Sequence, residues 1–309
     1  MPKTALEKIQ DKVLYINDNE SKRAYYLTNP IELTNPTEKT VPYKPIFRKG
    51  DKALAYIGLH HTRDPESEAI KLINQTINEF QPELILFESQ QNINDFRQEA
   101  IENISGDIQK YGWYTVALNA VKNQGENFYL LVLAIHKNIA FDTIEGSKKD
   151  EIAYLLKKGY TKNQIFFSYC IGVLLNFHRT KAESLRTKEY FIKLLQRTLD
   201  DLVKNTDWLK YDFSYNHFRK LYKKFVDFDF DITDERSYKN FASYCLIDQG
   251  DVWEIFNKLN ADNIRSRDRN CVKRIYEALQ THNRVMAVMG ITHPMLQQPA
   301  IREIFELLP

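Results

Sequence analysis

The apolar positions of the chain fall into short continuous runs separated by longer stretches at helical spacing. Ala53-Leu54-Ala55-Tyr56-Ile57 is one such run, and it ends at Gly58. Pro65 and Glu66 then open a predicted helix to about Phe80, with Ala69, Leu72, Ile73, Thr76 and Phe80 on one face. Leu84-Ile85-Leu86-Phe87 reads as a second buried strand. A helical region follows to about Lys110, then a short strand over 113–118. Gly125-Glu126 opens a helix over 127–136, and Ile139-Ala140-Phe141 is a further strand. Residues 148–260 read as mostly helical. Near the end come a helix over 268–281, the strand Arg284-Val285-Met286-Ala287-Val288-Met289, Gly290, and a closing helix from about Gln297.

Continuous apolar strands alternating with helices predict an α/β fold, with a mostly parallel, mixed central sheet covered by helices on both faces. Before it, Val13-Leu14-Tyr15-Ile16 and Ala24-Tyr25-Tyr26-Leu27 predict an N-terminal β-hairpin over 12–28. Pro30, Pro36, Pro42 and Pro45 mark an irregular connector, since none can donate to a ladder. The expected organisation is hairpin and connector (1–50), first half of the core (51–147), a large helical insertion (148–262) and the second half of the core (263–309).

Composition narrows the function classes. With 43 basic and 41 acidic residues the net charge is +2, so no bulk electrostatic attraction to nucleic acid or an anionic membrane is expected. The Tyr/Phe run of 211–244 therefore reads as packing rather than as a base-stacking platform. Three widely spaced cysteines, Cys170, Cys245 and Cys271, lack any CxxC pattern, which argues for a reducing compartment. The first residues carry no apolar signal run, and no stretch approaches the roughly 20 residues that span a bilayer. A cytoplasmic protein is expected.

Two strands end alike, in Gly58-Leu59-His60-His61 and Gly290-Ile291-Thr292-His293. Each GxxH delivers a histidine just beyond a strand's carboxyl end, where open α/β sheets bind their ligands. Glu88 follows the second apolar strand directly, and a carboxylate there needs a partner. A helix between two parallel strands starts at the strands' carboxyl edge, which brings Asp268-Arg269-Asn270 and Glu126 to the same place. The candidate catalytic set is His61, Glu88, Glu126, Arg269 and His293.

The two GxxH motifs, Phe87-Glu88-Ser89, Gly125-Glu126 and Asp268-Arg269-Asn270 resemble the Tiki/TraB/GumN superfamily, grouped with erythromycin-esterase-like and ChaN-like proteins. The resemblance covers 52–143 and 265–309. It departs from the family pattern at His60, beside His61, and at Pro294, after His293. It implies a hydrolase acting on a small-molecule or peptide substrate. In one form His61, Glu88 and His293 would bind a divalent metal (Mn, Zn or Fe) that activates water. In the other, without metal, His61 is a general base oriented by Glu88, and Arg269 with His293 steadies the intermediate. The alternative is a non-catalytic protein that keeps the fold and binds haem, metal or a partner through the helical insertion.

Overall fold

The computed structural model describes residues 3–14, 44–88, 93–180, 187–234, 237 and 251–308. Most of the hairpin expected over 12–28, and the connector up to residue 43, lie outside them. The chain divides into two compact units, 1–147 with 267–309, and 148–266.

The first unit is built on a mixed five-stranded sheet. Its strands are β1 (Ile46–Lys49), β2 (Lys52–Leu59), β3 (Leu84–Phe87), β4 (Ala140–Thr143) and β5 (Arg284–Gly290), in the order β1-β2-β5-β3-β4. β1 and β2 form an antiparallel hairpin near the N-terminus, and the other neighbours are parallel. The last strand in sequence is thus inserted between β2 and β3, with Leu59 paired to Gly290 and Phe87 to Val288. Three strand ends that carry polar residues become neighbours, roughly 4.8 Å apart.

Alternation along the strands feeds two cores. Ile57, Leu59, Ile85, Phe87, Met286 and Val288 pack under α2 (Glu68–Phe80), α4 (Trp113–Gln124) and α5 (Glu126–Lys137). On the other face Leu54, Tyr56, Leu86, Val285, Ala287 and Met289 meet α1 (Ala5–Gln10), the 267–281 part of α10 (Asp251–Thr281) and α11 (Thr292–Leu307). Between α2 and α4 lies α3 (Ile93–Tyr111).

Two predicted elements are corrected. The segment 113–118 is helical, the start of α4, because Ala117, Ala120 and Val121 form a buried stripe at helical spacing. The helix expected from residue 268 begins at Asp251, so Asp268, Arg269 and Asn270 sit within a continuous helix and not at its start.

The second unit, 148–266, contains α6 (Lys148–Lys157), α7 (Lys162–Thr180), α8 (Lys188–Asn205) and α9 (Tyr215–Val226). Its core is aromatic, with Phe166, Phe167, Phe177, Phe191, Phe218 and Tyr222 all fully buried, and Phe218 and Phe230 packed edge-on at 4.9 Å. Within the described part of 211–244 the aromatics do pack. The unit ends at Ser266, inside α10.

Candidate active site

Gly58 is the penultimate residue of β2 and is followed by Leu59, whose carbonyl accepts from the Ile291 N–H at 2.9 Å. Two residues on, His61 keeps to the face of Ile57 and Leu59, the face covered by α5. There Glu126 opens α5 directly after Gly125, whose φ of 89° is a left-handed conformation suited to glycine. The His61 Nδ1 donates to Glu126 Oε1 at 2.6 Å, and the Thr62 N–H donates to Glu126 Oε2 at 3.0 Å. Because a carboxylate only accepts, the proton is on Nδ1 and the Nε2 lone pair is free. The Glu126 hydrogen bond raises the His61 pKa above its ordinary 6.5, against a burial that pulls it down. Burial drives the Glu126 carboxyl upward, but the donors from His61 and Thr62 prevail and hold it below the usual range.

Glu88, one step past Phe87, falls on the opposite face by the same alternation, toward α10. Its Oε2 accepts from the Gly290 N–H at 2.9 Å and its Oε1 from Arg267 at 3.1 Å. Arg267 also holds buried Glu145, through Nε at 2.9 Å and through a second guanidinium nitrogen. Burial would weaken the guanidinium's charge, yet Glu145 and Glu88 more than offset this and raise its pKa. From Glu88 Oε2 to His61 Nε2 is 3.9 Å.

His293 lies in the first turn of α11, beside Pro294, whose missing N–H costs nothing there. Its Nδ1 donates to Asp268 Oδ1 at 2.7 Å, again leaving Nε2 free. Burial pulls the His293 pKa down, but the charge of Asp268 and the hydrogen bond to it raise it overall. Asp268 is wholly buried, and the same oxygen accepts from Gln297 Nε2 at 2.5 Å. Gln297 is oriented in turn by Tyr56, whose hydroxyl donates to Gln297 Oε1 at 2.7 Å. Burial keeps that phenol neutral by lifting its pKa well above 10.

The two imidazoles meet. A point one Cβ bond out from Gly290 lies 3.9 Å from His61 Nε2, 3.7 Å from Glu88 Oε2 and 3.5 Å from His293 Cδ2. His61, Glu88 and His293 therefore border one space, with Glu126 behind His61. Arg269 does not join them. It pairs with Asp11, and its carbonyl accepts from Gln10 at 2.8 Å, tying α1 to α10. The error lies in the helix start assumed at 268, since helical phase turns Arg267 and Asp268 inward and Arg269 away.

Asp268 was brought to the site's edge but left out of the catalytic set, and Arg267, Glu145 and Gln297 were missed. A signal for the first two was present, because the buried stripe Cys271, Val272, Ile275, Ala278, Leu279 extends backward by three and four residues to 268 and 267. Glu145 and Gln297 gave none.

The donor set matters for the metal reading. Two free Nε2 atoms, each backed by a carboxylate on Nδ1, are oriented as metal-ligating histidines are. Both Glu88 oxygens, however, already accept hydrogen bonds, and the guanidinium on one of them would stand beside a divalent ion. Among the described residues no group of three His, Cys, Asp or Glu side chains is placed to hold a metal. Glu88 is thus already committed to Gly290 and Arg267, and the chemistry below runs through side chains.

No family model, curated protein or solved structure matches the chain. Among the described residues no helix is long and apolar enough to cross a membrane.

Proposed function

We propose that the protein is a hydrolase of a carboxylic ester or related acyl compound, with His61 as general base. The observation that carries this reading is the His61 geometry: Nδ1 fixed on Glu126, Nε2 free, and a carboxylate oxygen 3.9 Å beyond it. That gap is too long for a hydrogen bond and suits one water held by both groups. His61 Nε2 takes a proton from this water while Glu126 stabilises the imidazolium that forms. The hydroxide attacks the acyl carbon, and the developing oxyanion is met by His293 in its imidazolium form, Nε2–H donating to it while Asp268 holds Nδ1 and Arg267 holds Glu88 in place. The His61 proton then passes to the leaving oxygen, which restores the neutral imidazole and releases acid and alcohol.

The resemblance of the GxxH pair to the Tiki/TraB/GumN superfamily supports the same reading, in its metal-free, esterase-like form. A cytosolic location and a small-molecule substrate belong to the proposal. The test is a panel of activated and natural esters, assayed with the wild type and with His61→Ala. At least one ester should be hydrolysed, the variant should lose about 100-fold or more, and an excess of chelator should change neither rate. Turnover of every active ester by His61→Ala at the wild-type rate would refute the proposal.

A further inference from the structure

The glycines of the two GxxH motifs occupy equivalent places and face unlike surroundings. A Cβ on Gly58 would come within 3.0 Å of the Ile291 Cα and 3.2 Å of the Ile291 carbonyl and the Pro294 ring. Glycine there is required by packing, because the turn from β5 into α11 lies directly on it. Among the described residues, a Cβ on Gly290 would touch nothing closer than 3.5 Å, an ordinary van der Waals distance. Nor is Gly290 among the described glycines with positive φ, so its backbone is open to any residue. Neither strain nor crowding explains a glycine at 290. What the missing side chain leaves is the place of one methyl, within van der Waals reach of His61 Nε2, Glu88 Oε2 and the His293 ring, the three groups assigned to water activation and oxyanion binding.

We infer that Gly290 is the floor of the substrate's seat, its missing side chain letting the reacting acyl group approach the backbone between His61 and His293. The inference rests on the hydrolase reading and adds to it a requirement on the substrate: its reacting end must be a small, flat trigonal group. An alanine methyl at 290 would fill that space without disturbing the fold.

The full-length Gly290→Ala protein tests this with two probes. One is turnover of p-nitrophenyl acetate. The other is titration of ¹⁵N-labelled protein with sodium acetate, the trigonal product of that ester, against sodium chloride, following the ring nitrogens of His61 and His293. The expected result is a Tm within about 2 °C of wild type and ester turnover at least about tenfold lower. Acetate should shift both rings saturably in the wild type and neither ring in the variant. Equal turnover by the two proteins, or equal acetate shifts in both, overturns the inference. So does a large fall in Tm, which would mean the glycine serves the fold. Acetate shifts of the expected kind with no ester turnover above the His61→Ala background would leave the seat standing and remove the hydrolase reading.

Discussion

A guanidinium brings its charge to a site only if its helix turns it there, and a step of two residues turns a side chain by about 200°. Arg267 and Arg269 illustrate this, the first bridging Glu88 and Glu145 and the second reaching Asp11. Their substitutions should separate cleanly in an ester assay. Arg269→Ala is expected to keep turnover within about a factor of two, its effect being the loss of a tie to α1. Arg267→Lys keeps a charge but loses the planar fork that spans two carboxylates, and should lower turnover by about tenfold or more. The reverse ranking would mean the basic side of the crevice is wrongly assigned. At this scale the two histidines and both glutamates were legible, because strand ends and helix starts were legible. Arg267, and the pairing of Asp268 with His293, were hidden because they depend on helical phase, which a misjudged helix start conceals. Glu145 and Gln297 are defined only by what folds against them.

At the scale of elements, short apolar runs and a final strand–helix unit were enough to give the α/β class with helices on both faces. They did not give strand order, and that order makes the site. Inserting β5 between β2 and β3 places three strand ends side by side, an arrangement fixed by long-range pairing that no local pattern reports. The segment 113–118 shows the opposite failure. Trp113, Tyr114, Thr115 and Val116 favour a strand locally, and the apolar stripe of α4 overrides them. The junction of β2 with the β5–α11 turn carries its own prediction. Gly58→Ala must push a methyl against the Ile291 backbone, and overpacking of this kind costs about 1–3 kcal/mol, measurable by urea unfolding. A stability unchanged from wild type would show that the turn does not sit against β2 as described. The contrast with Gly290→Ala is sharp, since two glycines alike in sequence should give one variant damaged in stability and one damaged in activity.

At the scale of the molecule, two units with separate cores share one chain, and every side chain assigned to chemistry belongs to the first, 1–147 with 267–309. The near balance of basic and acidic residues leaves function to local arrangement, and here that is two histidine–carboxylate pairs facing one space. His61 is largely exposed, its side chain at 64%, and exchanges protons readily; His293, at 13%, is enclosed with a fully buried aspartate. The proposed chemistry depends on the first pair, and the most direct measurement is the pH dependence of ester turnover in wild type and Glu126→Gln. Only neutral His61 can accept a proton, so the wild-type rate should rise with pH through a pKa above 6.5, the direction in which Glu126 moves it. Glutamine removes the charge that stabilises the imidazolium, so the rising limb should move to lower pH while the plateau falls by about tenfold or more. A limb that stays in place at an undiminished plateau would contradict the assignment of Glu126 and His61 as the working base.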